Sequence, residues 1–206
     1  MKALACLILA IAAGSAVHNF DANKPGVLPA GWTSALTGTG PQPQWKVQTD
    51  PTAPSRPNVL AQTSADKTDY HFPLALLEGL ELRDLDLSVQ FKAVAGAIDR
   101  AAGIAFRLKD ADNYYVVRAN ALENNLRLYH VVGGRRVQFA GANFKVTSGE
   151  WHRLRVECAG TKITCWYDGE KKIEATDATF REAGRVGLWT KADSVTYFDD
   201  FQVTPR

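Results

Sequence analysis

The chain has 206 residues, 46% of them hydrophobic, with 24 basic against 22 acidic side chains. That is enough to bury the core of one domain, and the near-balanced charge speaks against nucleic acid or an anionic membrane surface as the main partner. No later apolar stretch approaches the ~20 residues of a transmembrane helix, so no membrane anchor is expected.

Met1-Lys2 gives a charged start, Ala3 to Ala13 is apolar throughout, and Gly14-Ser15-Ala16 supplies small residues. A charged start, a short apolar run and a small-x-small end predict a secretory signal peptide over 1–16. Cys6 lies inside the run, not at its end, and is unsuited to carry a lipid. Cleavage after Ala16 would leave a single domain over 17–206, exported to the periplasm or secreted. Gly38 to Pro57 holds five prolines and reads as a long surface excursion. Pro73 to Leu82 is one of two stretches that could hold a short helix, the other being Thr179 to Ala183.

Strand signals dominate the remainder. Leu85 to Phe91 and Ile104 to Leu108 alternate apolar and polar residues, as half-buried strands do. Tyr114 to Ala119 follows the turn cluster Asp110-Ala111-Asp112-Asn113, and Leu126 to Val132 closes on Gly133-Gly134 before Val137 to Ala140. Trp151 to Cys158 and Lys162 to Tyr167 form a hairpin about Gly160-Thr161, and Asp168-Gly169 turns into a further strand. Arg185 to Thr190 and Val195 to Val203 finish the chain. About ten strands at such spacing predict an all-β fold, an antiparallel sandwich or barrel.

Four segments then carry a resemblance: Trp151-His152-Arg153-Leu154-Arg155-Val156, Trp166-Tyr167-Asp168-Gly169, Gly184-Arg185-Val186-Gly187-Leu188-Trp189, and Phe198-Asp199-Asp200-Phe201. Their order resembles the concanavalin A-like lectin/glucanase superfamily, and within it laminin-G-like bacterial domains and the 3-keto-disaccharide hydrolases. The resemblance runs from Phe20-Asp21 to the last strand. It implies a jelly-roll sandwich of two curved antiparallel sheets with sugars held on a concave face.

Strand parity names the side chains for such a face. With Ile104, Phe106 and Leu108 inward, Arg107 points out; with Tyr115, Val117 and Ala119 inward, Tyr114, Arg118 and Asn120 point out; with Val186 and Leu188 inward, Trp189 and Lys191 point out. An indole beside Arg, Asn and Lys suits a pyranose, whose apolar face stacks on the ring while its hydroxyls meet fixed polar groups. The alternative is that Trp189 packs under a loop and the arginines are solvated.

Catalysis is weakly signalled. The paired carboxylates of a conventional glycosidase are missing at strand spacing, and Glu78 and Glu81 read as solvated. The hydrolase family's Gly-Leu-Gln-x-His is here Gly187-Leu188-Trp189-Thr190-Lys191, and its Tyr-Glu-Val is Tyr115-Val116-Val117. Of His18, His71, His130 and His152, His71 is the one candidate acid or base. The resulting expectation is a carbohydrate-binding protein, with a 3-keto-disaccharide hydrolase of altered site and an adhesion module as alternatives. Cys158 and Cys165 share one hairpin and fit either a disulfide or two buried thiols. By resemblance to the glucanases, Asp199, with Asp21, could hold a structural calcium ion; backbone amides or an arginine are the alternative partners.

Overall fold

The computed structural model describes residues 14–206, so the apolar run of the expected signal peptide lies outside the described residues. In chain order the strands are β1 (Ala16–His18), β2 (Trp32–Gly38), β3 (Trp45–Thr49), β4 (Asn58–Gln62), β5 (His71–Leu77), β6 (Leu85–Ala95), β7 (Ala101–Asp110) and β8 (Asn113–Asn120). They continue with β9 (Asn125–Val132), β10 (Arg135–Asn143), β11 (Trp151–Ala159), β12 (Lys162–Tyr167), β13 (Glu170–Thr176), β14 (Arg185–Trp189) and β15 (Val195–Pro205). Sheet A runs β13-β12-β11-β6-β15-β4-β3, with β1 added beside β15, and sheet B runs β10-β9-β8-β7-β14-β5-β2. Every pairing is antiparallel. The molecule is a jelly-roll β-sandwich.

Alternation along the strands builds two apolar layers. Leu85, Leu87, Val89 and Phe91 of β6 meet Ile104, Phe106, Tyr115, Val117 and Leu188 between the sheets. A second cluster, with Phe72, Leu74, Tyr114, Val116, Tyr129 and Trp189, lies on the opposite face of sheet B. A sheet apolar on both faces must cover its outer side too, and that requirement shapes the site.

Three expectations need correction. Pro73 to Leu82 holds no helix, because Pro73 sits within β5. Its carbonyl accepts from Thr190 N just past the last β5–β14 pair, Trp189 with Leu74, so the reciprocal bond that its missing N–H cannot make falls at the end of that ladder. Thr179 to Ala183 is likewise non-helical. The proline-rich Gly38 to Pro57 is no simple excursion either, since it contains β3, whose Trp45 and Val47 are buried.

Candidate functional site

Sheet B coils about its outer face. β10 and β5 stand five places apart in it, roughly 24 Å on a flat sheet at ~4.8 Å per strand. Yet the Arg136 guanidinium of β10 lies 4.8 Å from the Phe72 ring of β5. The Tyr70 hydroxyl, just before β5, donates to the Gly134 carbonyl between β9 and β10. Thr37 of β2 shares a hydrogen bond with the Tyr114 hydroxyl of β8 at 2.8 Å. One corner therefore folds over the face and makes it concave.

Aromatic side chains fill the covered part. Trp189 stacks on Phe72 at 5.5 Å and 25° and donates its indole N–H to Tyr114 at 3.2 Å. Gly103, opposite Trp189 in the ladder, leaves room for the indole: a Cβ there would lie 3.2 Å from it and 2.9 Å from the Val117 carbonyl. Arg136 spans the cluster, over Tyr129 at 4.5 Å and Trp189 at 5.4 Å.

Polar groups line the rest of the trough. Arg118 donates to Glu123 at 2.8 Å, Asn125 at 3.1 Å and the Tyr129 hydroxyl at 3.1 Å. Asp99, in the β6–β7 turn, takes the Asn120 amide at 2.7 Å and the Arg100 N–H at 2.9 Å. Lys191 reaches Asp69 at 2.5 Å and comes within 3.3 Å of the second Asp99 oxygen. The turn is pinned from behind by Asp193, whose carboxylate accepts from the backbone of Ala97, Ile98 and Asp99. Burial raises the Asp99 carboxyl above its ordinary value, although the Arg118 and Lys191 cations pull it the other way. Three buried atoms here have no hydrogen-bond partner among the described residues: Asp99 Oδ2, Arg118 Nε and Arg136 Nη1. The Lys191 contact to Asp99 Oδ2 is an ion pair without hydrogen-bond alignment.

Tyr114, Arg118, Asn120, Trp189 and Lys191 thus meet at one trough, but Arg107 does not. A β-bulge after Phe106 places Arg107 at φ 47° and shifts the alternation, so that Leu108 rather than Arg107 joins the outer cluster. The Arg107 guanidinium turns away from the trough and donates to the carbonyls of Arg83, Phe180 and Gly160 at 2.6–2.7 Å. Trp189 is fully buried, a buttress under Arg136 rather than an open platform. His71 faces the other side of β5 from Phe72 and donates Nε2 to the Pro41 carbonyl at 2.8 Å, away from the trough. Asp99, Glu123 and Arg136 escaped sequence reasoning: the first two sit in turns, where parity has no meaning, and β10 is irregular. The usable signal was the Arg136 position opposite apolar Val131.

Two surface hollows lie on sheet A instead, at about 320 Å³ beside Arg153 and Gln202 and about 390 Å³ beside Lys92 and Tyr197. No residue lining either one carries a buried unpartnered atom, and Lys92 is already paired with Asp50. The trough is the stronger candidate because its polar capacity is unmet.

Asp199 departs from its expected placement. It opposes Gln90 across a bulge in which Asp200 takes φ 47°, so it lies outside the inter-sheet core, under the Ser55 loop. Its carboxylate accepts from Ser55 N at 2.9 Å, Ser55 Oγ at 2.8 Å and Asp200 N at 2.8 Å, while Asp21 accepts from Asn58 N at 3.1 Å. N–H donors aimed at the carboxylate do not suit a calcium shell, which needs oxygen ligands. Burial pushes the Asp199 carboxyl up to about 6 against these donors. A folded-state value above the unfolded one gives stability that is full below about 3.8 and lost as pH rises through about 6. His18, held below its ordinary value by burial, acts oppositely in that window. The Asp199 part is therefore read as a difference: lowering pH from 7 to 5 should stabilise the wild type relative to Asp199→Asn by about 1 kcal/mol. Chelator at pH 7 should leave the wild-type melting midpoint in place; a fall would restore calcium.

Cys158 pairs with Ile163 and Cys165 with Val156, so the cysteines are diagonal neighbours and stand as free, buried thiols. Burial pushes the Cys158 thiol up to about 11, away from the reactive thiolate form.

The family of 3-keto-alpha-glucoside-1,2-lyase-like domains matches residues 24–204. No curated protein matches the chain. Among solved structures, carbohydrate-binding module CBM66 from Bacillus subtilis superposes with a TM-score of 0.66 at 19% identity, covering 84% of this chain and 94% of its own. The β-glucanase of Bacillus licheniformis gives 0.63 at 12% identity over 94% and 99%. The Emp47p carbohydrate recognition domain gives 0.58 at 14% over 93% and 94%. At these identities the likeness establishes the lectin/glucanase fold.

Proposed function

The chain belongs to the 3-keto-alpha-glucoside-1,2-lyase-like domain family, and from that premise we propose that it is an exported protein that binds a sugar in the trough of sheet B. The observation carrying this reading is the set of unmet buried atoms, two donors and one acceptor, gathered around the outer face of sheet B. A buried polar atom without a partner costs about 1–3 kcal/mol; water does not reach these atoms, so a sugar hydroxyl, which donates and accepts, would recover that cost by displacing the side chains that cover them. Asp99, Arg118 and Lys191 are the contact residues, with Asn120, Asn125 and Glu123 fixing their orientation. Tyr114 and Trp189 support them from beneath. CBM66 and the Emp47p domain, named for carbohydrate binding, support the same reading.

A second reading rests on Asp99. An elimination across C1 and C2 of a 3-keto-glycoside needs a base at the C2 proton, which the neighbouring ketone acidifies. A carboxylate whose affinity for protons is raised by burial, beside Lys191, suits that step. A glycan array with the mature protein, beside an activity screen on 3-keto-glycosides, tests both. Binding should appear on the array, and Lys191→Met should weaken it about tenfold or more with the fold intact. Absence of any binding overturns the first reading. Turnover by the wild type, abolished in Asp99→Asn, would establish the second.

A further inference from the structure

Resting on that sugar-binding reading, we propose that the ligand is an acidic sugar whose anionic substituent, a carboxylate or sulfate ester, is seated on Arg136. The charges of the trough are unevenly matched. Arg118 is paired with Glu123, and Lys191 with Asp69 and Asp99. The Arg136 guanidinium has no carboxylate within ion-pair distance and makes no hydrogen bond among the described residues. Its neighbours are the rings of Tyr129, Phe72 and Trp189, which hold the guanidinium plane but accept no conventional hydrogen bond. Nη1 is sealed from water with nothing to donate to, while Nε and Nη2 have no partner and are not sealed, so a ligand oxygen pair would meet the Nε–Nη2 edge.

The surroundings already strain that charge. Burial lowers the Arg136 pKa, and the like charge of Arg118, whose guanidinium lies 5.8 Å from the same Tyr129 ring, lowers it further, while Tyr129, Asp99 and Tyr114 offset only part of this. A neutral hydroxyl could take one N–H and leave the charge uncompensated. A carboxylate or sulfate oxygen pair matches the guanidinium fork and cancels the charge as well. Arg136 is half-buried at the edge of sheet B, within reach of a ligand entering from solvent. It would thus set specificity, while Asp99, Arg118 and Lys191 take the hydroxyls common to neutral and acidic sugars.

The test is a matched comparison on the full mature protein: neutral oligosaccharides against the same scaffolds bearing glucuronate, galacturonate or a sulfate ester, on an array and then by calorimetry at 50 and 500 mM salt. The acidic member should bind at least tenfold more tightly, with the gap narrowing at high salt. Arg136→Gln should erase the gap between the acidic and the neutral member, whatever it does to the affinity for both, and Arg136→Lys should keep part of the gap. Equal affinity for the two members, or a preference that survives Arg136→Gln, overturns the inference and leaves sugar binding standing. No binding to any member overturns the sugar-binding reading and this inference together. The wild-type comparison needs no variant, so it decides even if Arg136→Gln fails to fold.

Discussion

Trp189→Ala is expected to cost about 3–5 kcal/mol of folding stability, measured by urea denaturation, rather than affinity alone. The indole is fully buried, with Phe72 stacked on it, Gly103 opposite it and Arg136 over it. Truncation leaves a cavity in the outer cluster of sheet B and removes the donor to Tyr114, whose hydroxyl keeps only Thr37. Trp189→Phe, which refills most of the space, should cost about 1–2 kcal/mol. An unchanged urea midpoint in Trp189→Ala, joined to lost sugar binding, would mean that the ring is a solvent-facing platform after all.

Arg107→Ala should be as damaging, about 3–5 kcal/mol, and by a different route. Its side chain is wholly enclosed, and three carbonyls, from Arg83, Phe180 and Gly160, depend on it, as does one oxygen of Asp84. These join the β5–β6 connection, the hairpin turn after β11 and the segment before β14, so their loss unties three separate loops at once. Arg107→Lys should recover little, because one ammonium cannot span the positions that the planar fork reaches. Folded Arg107→Ala should retain its sugar affinity. Lost affinity with stability intact would return Arg107 to the binding surface.

Gly184 explains why the bulge carrying Arg107 is tolerated. A Cβ at Gly184 would lie 2.5 Å from the Arg107 carbonyl carbon, so only glycine lets the chain before β14 pass the bulge.

The class of fold and the sheet face of most site residues were legible in the order of the residues. Alternation with period two is a local property, set by each strand's own pleat. It placed Tyr114, Arg118, Asn120 and Trp189 on one side of sheet B, with Ile104, Phe106, Tyr115 and Leu188 on the other. The hairpin at Gly160-Thr161 was equally legible, because a two-residue turn fixes the register of Cys158 with Ile163. The rest depended on how the strands pack and bulge. The bulge in β7 sent Arg107 to the loops, and the one in β15 took Asp199 out of the core; neither bulge leaves a mark in the apolar pattern. The coil of sheet B brought Phe72 beneath Arg136 across five strand positions and closed over Trp189, turning an expected platform into a buttress. Asp99 met Asn120 and Lys191 through a turn, where no periodicity exists to say which way a side chain points. Local alternation fixes a side chain's face; whether that face is open, and to what, depends on contacts between residues far apart in the chain.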